Sequence, residues 1–228
     1  MKTSLFVTSV LVTALAGSAF AQTEKKEESK PEPAAVAPAS AAVAPAASAP
    51  SEAEMMKQMM ELSKMNENHK WLADTAGTWN YTVKMWMNGD TSAKPQESKG
   101  TATRKMIMNG RFLVGDYTGM MKMPGADGKI KDVTFKGMGL EAYDNVKKKF
   151  VSTWIDNMGT GIMMMEGDYD PATSSLTSAG EEETMPGMKT QIRSVTRFPD
   201  KNHMTLEWYE NHGGQEKKTM EIAYTRKR

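Results

Sequence analysis

Apolar and polar residues alternate with a period of two along most of the chain from Trp79 onward. The first run places Trp79, Tyr81 and Val83 on one side of the chain and Asn80 and Thr82 on the other. Such alternation is typical of β-strands that bury one face. The pattern recurs to give ten expected strands, over 79–87, 100–108, 111–117, 135–143, 150–156, 162–169, 176–182, 188–198, 204–211 and 217–226.

Short turn sequences separate these strands and leave no room for crossover helices. Asn109-Gly110 is a strong hairpin signal, and Asp170-Pro171 and Pro186-Gly187 mark further turns. Short strands with tight links favour an antiparallel meander, and closing the meander into a barrel removes its exposed edges. We therefore predict a mainly β fold with an antiparallel barrel over 79–228. A two-sheet sandwich is the alternative.

A helical pattern precedes the strands. Ser51 and Glu54 have the spacing of a capping box, which opens a helix. Four methionines that follow at helical spacing lie on one face, namely Met55, Met56, Met59 and Met60. A second short helical piece is expected over 69–74. We predict a helical region over 52–75 and a single folded domain over 52–228.

The N-terminal segment has the features of a secretory signal peptide. Lys2 precedes an apolar run over 5–16, and small residues at Ala19 and Ala21 form a cleavage site. The apolar run is shorter than the ~20 residues that span a bilayer, so we expect cleavage after Ala21 and no retained membrane segment. We predict a signal peptide over 1–21 and a periplasmic or secreted protein. Residues 22–51 are rich in Ala, Pro and Ser, which predicts a disordered linker.

Charge and cysteine content narrow the range of partners. The chain has 29 basic and 28 acidic residues, and loss of Lys2 with the signal peptide leaves 28 of each. A neutral chain lacks the basic excess that binds nucleic acid or anionic membranes. The chain contains no Cys, so the fold uses neither disulfides nor thiolate chemistry.

The sequence contains no constellation typical of a catalytic or cofactor site. His69, His203 and His212 lack the spacing of zinc ligands, and neither a hydrolase nucleophile motif nor a phosphate-binding Gly loop occurs. We expect no cofactor, no resident metal and no enzymatic activity. The enzymatic alternative is a reaction on a bound small molecule with Asp156 or Glu166 as the base.

Methionine is the most unusual feature of the composition, with 22 residues. Thioethers are soft ligands that suit Cu(I), so Met55, Met56, Met59 and Met60 are candidate copper ligands. Met also fills apolar cores well, and we favour core filling over copper binding. The helical cluster also suits a partner surface or a lid over the barrel. In the run Met163-Met164-Met165 the three side chains must alternate between faces, so they cannot all bind one ion.

Several short motifs together resemble one family. In chain order the motifs are His69–Asp74 with Gly77-Thr78-Trp79, Gly100-Thr101, Asn109–Leu113, Gly137–Gly139 with Tyr143-Asp144-Asn145, Phe150–Asp156, Thr160-Gly161 and Gly180-Glu181. Over about residues 55–226 the chain resembles the uncharacterised bacterial domain-of-unknown-function family 1579. The resemblance implies a calycin-like barrel, akin to lipocalins and fatty-acid-binding proteins, and no established activity, substrate or catalytic residue.

A barrel of this kind suggests an internal pocket with apolar walls and a few polar groups. Trp154 shares a strand face with Asp156, and Trp208 shares one with Glu210. The residues we predict to contact a ligand are Trp154, Tyr143, Arg111, Arg193, Asp156 and Trp208. The resulting hypothesis is non-enzymatic binding of a small apolar or amphipathic molecule. A barrel interior filled by side chains would argue against it.

Overall fold

The computed structural model describes residues 50–87, 89–125 and 127–228. The predicted signal peptide lies outside the described residues, as does the predicted linker except for its last two residues. Within the described part of the chain, no helix is long and apolar enough to cross a membrane.

Two helices, rather than one continuous helical region, precede the barrel. Helix α1 covers Glu52–Leu62 and helix α2 covers Glu67–Asp74. The predicted capping box is present, because Ser51 Oγ accepts a hydrogen bond from the Glu54 N–H and the Glu54 carboxylate accepts one from the Ser51 N–H. Asn66 caps α2 in the same way, with the Nδ1 of His69 accepting the Asn66 N–H at 3.1 Å. The second cap starts a new helix at Glu67 and accounts for the break.

Ten strands follow the helices. In chain order β1 to β10 are Gly77–Met85, Gln96–Ile107, Phe112–Pro124, Ile130–Asp144, Lys149–Asp156, Met163–Asp170, Ser175–Met185, Met188–Asp200, His203–His212 and Gln215–Arg226. Each strand pairs antiparallel with the next one. Strand β1 also pairs with β10, from Trp79 opposite Arg226 to Met85 opposite Met220. The predicted ten-stranded closed barrel is confirmed, and the sandwich alternative is wrong.

Helix α2 closes one end of the barrel. Leu72 is fully buried and packs with Leu113 and Phe150, the inward residues at the ends of β3 and β5. The indole of Trp71 lies 5.1 Å from the Phe150 ring and 4.5 Å from the Tyr169 ring, measured between centroids. This apolar cluster anchors α2 and defines the closed end of the barrel.

Arg226 at the end of β10 secures the same helix. Its guanidinium donates to the carbonyl oxygens of Asp74, the last residue of α2, and of Ala76, two residues later. The guanidinium carbon also lies 4.2 Å from the centroid of the Trp79 ring. A cation near the carbonyl end of a helix is favourable, so this contact fixes α2 on the closed end.

The strand register determines which side chains face the lumen, the interior of the barrel. Because Cβ atoms alternate across a strand, Trp79, Tyr81 and Val83 of β1 face inward. The pairing of each strand with its neighbours then identifies the inward-facing residues on the remaining strands. The end of the barrel opposite α2 carries Met85, Asp156, Glu182 and Glu210, and we call it the mouth.

Candidate ligand site in the barrel lumen

A buried ion pair lies in the lumen near the closed end. Arg104 of β2 is only 5% exposed, and its Nη2 donates to both carboxylate oxygens of Glu141 on β4, at 2.7 and 2.9 Å. The Nη1 of Arg104 lies 3.4 Å from the sulfur of Met204. Burial disfavours the charge of the guanidinium, but the Glu141 carboxylate outweighs this effect and raises the pKa of Arg104. The guanidinium of Arg104 is therefore charged and lies against the carboxylate of Glu141.

Three tyrosines surround this ion pair. The Tyr81 ring lies 6.3 Å from the Tyr117 ring and 5.9 Å from the Tyr224 ring, measured between centroids. Burial raises the pKa of all three phenols, most strongly that of Tyr224. The hydroxyls therefore keep their protons at neutral pH and are able to donate a hydrogen bond.

Two polar atoms of this cluster are buried without a partner. Among the described residues, neither the Nε of Arg104 nor the hydroxyl of Tyr81 has a hydrogen bond, and each is shielded from solvent. A buried polar group left unpaired costs about 1–3 kcal/mol. Both side chains face inward, so a molecule in the lumen that carries a hydrogen-bond acceptor would relieve this cost. This is the strongest indication of a ligand site in the structure.

Small residues take several inward positions on the wall of the lumen opposite the tyrosines. They are Ser152, Gly167, Ser178, Gly180 and Ser194, on four adjacent strands. Ser178 and Ser194 are buried, and within the described part of the chain their hydroxyls make no hydrogen bond. The short side chains take up little of the lumen on this wall, whereas the large tyrosine side chains take up more of it on the opposite wall.

Larger apolar side chains occupy the middle of the lumen. The Trp154 ring lies 5.0 Å from the Tyr117 ring and stacks at 6.3 Å on the Phe135 ring, between centroids. An ideal Cβ on Gly137 would lie 2.4 Å from the Trp154 ring, so only glycine permits this position of the indole. The Trp154 Nε1 donates to Asp156 at 2.9 Å. Tryptophan is thus held in place by packing and by one hydrogen bond.

Several inward side chains remain partly accessible although a closed sheet surrounds them. They are Val83, Tyr117, Trp154, Leu206, Trp208 and Ile222. The partial exposure of these inward residues indicates accessible space in the lumen, as expected for a barrel of more than eight strands.

Three carboxylates face inward at the mouth, on Asp156, Glu182 and Glu210. Partial burial raises the pKa of Glu182, and the negative charges of Glu210 and Asp156 raise it further. Glu210 accepts a hydrogen bond from the Thr219 hydroxyl at 2.9 Å. The lumen thus has a polar base, apolar walls and an acidic mouth.

The sequence profile of the family "Protein of unknown function (DUF1579)" matches residues 64–226. The chain belongs to this family. The match covers α2 and the barrel, so the lumen described above lies within the family domain. No curated protein matches the chain. The chain is also similar to a solved structure, the "Crystal Structure of Rv2717c from M. tuberculosis", with 14% identity and a TM-score of 0.49, over 72% of this chain and all of that one.

The residues predicted from sequence fall into two groups. Trp154, Asp156 and Trp208 face the lumen, and the Trp154 ring packs 5.0 Å from the Tyr117 ring. Tyr143 lies at the closed end, where its ring packs 5.8 Å from His69 and 5.0 Å from Phe150. Whether these side chains contact a ligand stays a prediction.

The two predicted arginines lie outside the lumen. Arg111 ends the turn between β2 and β3 and donates to the carbonyl of Ser63 at 3.3 Å. Arg193 alternates with Ile192 and Ser194, which face inward, and so lies on the outer face. There it pairs with Glu216 at 2.6 Å and covers the Tyr209 ring at 4.0 Å. Arg104 takes the inward position that the sequence analysis assigned to these arginines.

The two candidate bases of the enzymatic alternative lie on opposite faces of the sheet. Glu166 lies on the outer face and forms an ion pair with Lys147. Asp156 faces the lumen, but its described hydrogen bonds come from the Trp154 indole and the Met158 backbone N–H. Among the described residues, no His, Cys, Asp and Glu side chains form a group of three or more that could hold a metal ion.

The methionine cluster of α1 is exposed. Met55, Met56, Met59 and Met60 are 47%, 56%, 66% and 63% exposed, and α1 has no buried residue. The core-filling role favoured for these four is therefore wrong. Elsewhere Met does fill the interior, since Met165 is buried and faces the lumen while Met164 faces outward, as the alternation of a strand requires.

Proposed function

We propose that this protein is a non-enzymatic carrier that holds a small, mainly apolar molecule in the barrel lumen. The observation that carries the proposal is the pair of unpartnered buried groups, the Arg104 Nε and the Tyr81 hydroxyl. Both are donors on side chains that face inward from β1 and β2. An oxygen acceptor on the ligand would complete their hydrogen bonds.

The remaining walls suit the apolar part of such a ligand. Trp154, Trp208 and Leu206 present accessible surface to the lumen, and burying such surface stabilises a complex by roughly 25 cal/mol per Å². Small-molecule sites commonly combine apolar walls with a few fixed polar groups. The geometry therefore supports one polar end near Arg104 and an apolar body directed toward the mouth.

The carrier would act outside the cytoplasm. The signal peptide predicted over 1–21 supports this location, and export is part of the proposal. N-terminal sequencing of the protein recovered from the exported fraction should begin at Gln22. A chain that starts at Met1 in the cytoplasmic fraction would contradict it.

Native mass spectrometry of the exported protein tests the carrier proposal directly. Gently purified protein should carry an organic mass of a few hundred daltons that is lost on denaturation. Protein extracted with organic solvent and refolded provides the matched control, since it should regain that mass from a lipid extract of the same cells. Failure to carry or regain any organic mass would overturn the proposal.

The exposed methionines favour a second candidate function, Cu(I) binding on α1. Met55 and Met59, and likewise Met56 and Met60, are one helical turn apart, so their thioethers lie on neighbouring positions of one face. Replacing all four by Leu should abolish Cu(I) binding in anaerobic competition with a chromophoric chelator. The matched control replaces four other exposed methionines, Met108, Met120, Met164 and Met188. Equal copper affinity in both variants would exclude this function.

A further inference from the structure

Most methionines of this protein lie on its surface, whereas Met is usually among the most buried residue types of a fold. The structure describes 21 of the 22 methionines. Of these, thirteen are exposed, from 42% for Met138 to 74% for Met87. We call them the surface methionines: Met55, Met56, Met59, Met60, Met65, Met87, Met108, Met120, Met138, Met158, Met164, Met185 and Met188. Of the described methionines, two are buried, Met165 and Met204.

Packing does not account for the surface methionines. Four of them lie on α1, which has no buried residue. Met120, Met138 and Met164 lie on the outer faces of β3, β4 and β6, at positions that alternate with inward residues. Substitutions at exposed positions away from special contacts usually change stability by less than about 0.5 kcal/mol. A leucine or a polar residue would therefore serve the fold equally well at these sites.

The property that distinguishes an exposed methionine from an exposed leucine is the reactivity of its sulfur. Oxidants convert an accessible thioether to the sulfoxide. The chain contains no Cys, and none of its five tryptophans is exposed. The surface methionines are therefore the accessible sulfur of this protein.

The fold separates these sulfurs from those that must stay reduced. A sulfoxide is polar and disrupts an apolar core, but at the surface it lies in water. The buried Met204 belongs to the core cluster around Trp79, and its sulfur lies 3.4 Å from the Nη1 of Arg104. The buried Met165 faces the lumen. Oxidation confined to the surface methionines would thus leave the interior of the barrel unchanged.

We propose that this protein scavenges oxidants, with the surface methionines as sacrificial sites for hydroperoxides and hypochlorous acid. The sulfur donates an electron pair to the terminal oxygen, an S–O bond forms, and the O–O or O–Cl bond breaks. Each sulfur is oxidised by two electrons. A hydroperoxide is reduced to an alcohol or water, which keeps the proton, and hypochlorous acid is reduced to chloride with release of the proton. This function does not depend on the lumen and goes beyond the proposed carrier.

Graded oxidation of the purified protein tests the separation of the two classes of sulfur. Intact mass spectrometry counts the oxygen atoms taken up from hypochlorous acid, peptide mapping locates them, and thermal unfolding follows the fold. The first thirteen oxygen atoms should enter the surface methionines and leave the melting temperature unchanged. Oxidation of Met165 and Met204 should come later and lower it. Early oxidation of these two, or a melting temperature that falls with the first few oxygen atoms, would overturn the proposal.

Two variants with four substitutions each distinguish scavenging from copper binding. One replaces the α1 methionines Met55, Met56, Met59 and Met60 by Leu, and the other replaces Met108, Met120, Met164 and Met188. Scavenging depends on the number of accessible sulfurs, so both variants should take up nine oxygen atoms instead of thirteen before the melting temperature changes. Cu(I) binding depends on α1 alone. A lower capacity in the α1 variant only would overturn scavenging by the surface methionines as a set.

Protection of neighbouring proteins tests the function in the cells that produce the protein. After a sublethal dose of hypochlorous acid, cells that lack the protein should contain more methionine sulfoxide in other proteins of its compartment than cells that have it. The wild-type gene should restore protection, and a variant with Leu at all thirteen sites should not. This variant keeps every lumen residue, so ligand binding by it reports on the carrier separately. If it does not fold, the two variants above replace it, and each should protect less than the wild type. Equal sulfoxide content with and without the protein would overturn the proposal.

Discussion

At the scale of single residues, the contact that most shapes the lumen is the ion pair between Arg104 and Glu141. Placing charges in a barrel interior is unfavourable unless each charge is paired. Here the Nη2 of the Arg104 guanidinium donates to Glu141, whereas its Nε does not. The unpartnered Nε and the nearby Tyr81 hydroxyl leave donors for a ligand. An ion pair that served only to stabilise the fold would need neither of these two unpartnered donors.

The Tyr81 hydroxyl allows a residue-scale test that separates a ligand role from a structural one. Because the hydroxyl has no partner in the described chain, Tyr81→Phe should leave the free energy of unfolding unchanged or raise it by up to about 1–3 kcal/mol. Loss of a hydrogen bond to the ligand should weaken the binding of decanol, a neutral amphiphile that serves as the probe, about five- to tenfold. Urea denaturation and calorimetric titration measure the two quantities.

Tyr209→Phe is the control for this experiment. Tyr209 lies on the outer face, where its ring supports Arg193, so decanol affinity should not change. Lower stability of the Tyr81 variant, combined with unaltered decanol affinity, would show that the hydroxyl serves the fold and not a ligand.

The inward arginine was within reach of the sequence, but its partner was not. Arg104 alternates with Ala102 and Met106, so a charged residue stands on the apolar face of the strand. That contradiction within one strand is a signal for a functional residue. Glu141 carries no comparable signal, because it lies between the apolar Leu140 and Ala142. Arg111 and Arg193 were misjudged because only the register, which comes from pairing between strands, tells the inner face from the outer one.

At the scale of elements, the two helices play different parts. Helix α2 buries Leu72 and His69 against the barrel, whereas α1 buries none of its residues. The last turn of α1 is connected to the barrel through polar contacts, in which the Asn145 side chain donates to the carbonyl oxygens of Leu62 and Lys64. Helix α2 is therefore part of the core, whereas the apolar face of α1 is exposed among the residues that the structure describes.

A pair of leucine substitutions tests this division. Leu72→Ala should lower the free energy of unfolding by about 2–5 kcal/mol, because it leaves a cavity between α2, Leu113 and Phe150. Leu62→Ala in α1 removes the same atoms from an exposed site and should change it by less than about 0.5 kcal/mol. Urea denaturation of both variants measures the difference. Equal effects would mean that α1 packs on the barrel in solution.

The limits of the strands were predicted well where one face is apolar and the other polar, and less well where both faces carry apolar residues. Strands β5 to β10 start and end within a few residues of the expected limits, because turn residues separate runs of clear alternation. Strands β3 and β4 are longer than expected, ending at Pro124 and starting at Ile130. In this hairpin Met120 faces outward while Met121 and Met123 face inward, so apolar residues on both faces hide the period of two.

At the scale of the whole molecule, the barrel is polar at both ends of one apolar lumen. The closed end holds a neutral ion pair with surrounding tyrosines, and the mouth holds three carboxylates, with Trp154 and Trp208 between them. This arrangement would give a ligand in the lumen a direction, with its hydrogen-bond acceptor toward α2.

The carboxylates at the mouth should also make stability depend on pH. The pKa of Glu182 is raised in the folded protein by partial burial and by Glu210 and Asp156, so the unfolded chain ionises this carboxyl first. Folding stability is therefore lost as the pH rises from the ordinary glutamate pKa of about 4.3 through the raised folded value. Glu182→Gln removes that loss. The variant should match the wild type at low pH and have the higher melting temperature at neutral pH.

Glu216 on the outer face provides a control of opposite sign. Its hydrogen bond with Arg193 lowers the pKa of Glu216, so its contribution is present above the ordinary glutamate pKa and is lost as the pH falls through the lowered folded value. Glu216→Gln should therefore lower the melting temperature at neutral pH, with the difference vanishing in acid. Thermal unfolding of the wild type and both variants across this range tests the electrostatics of the mouth without any ligand. Parallel curves for wild type and Glu182→Gln would mean that burial and the neighbouring carboxylates do not raise the pKa of Glu182 in the folded protein.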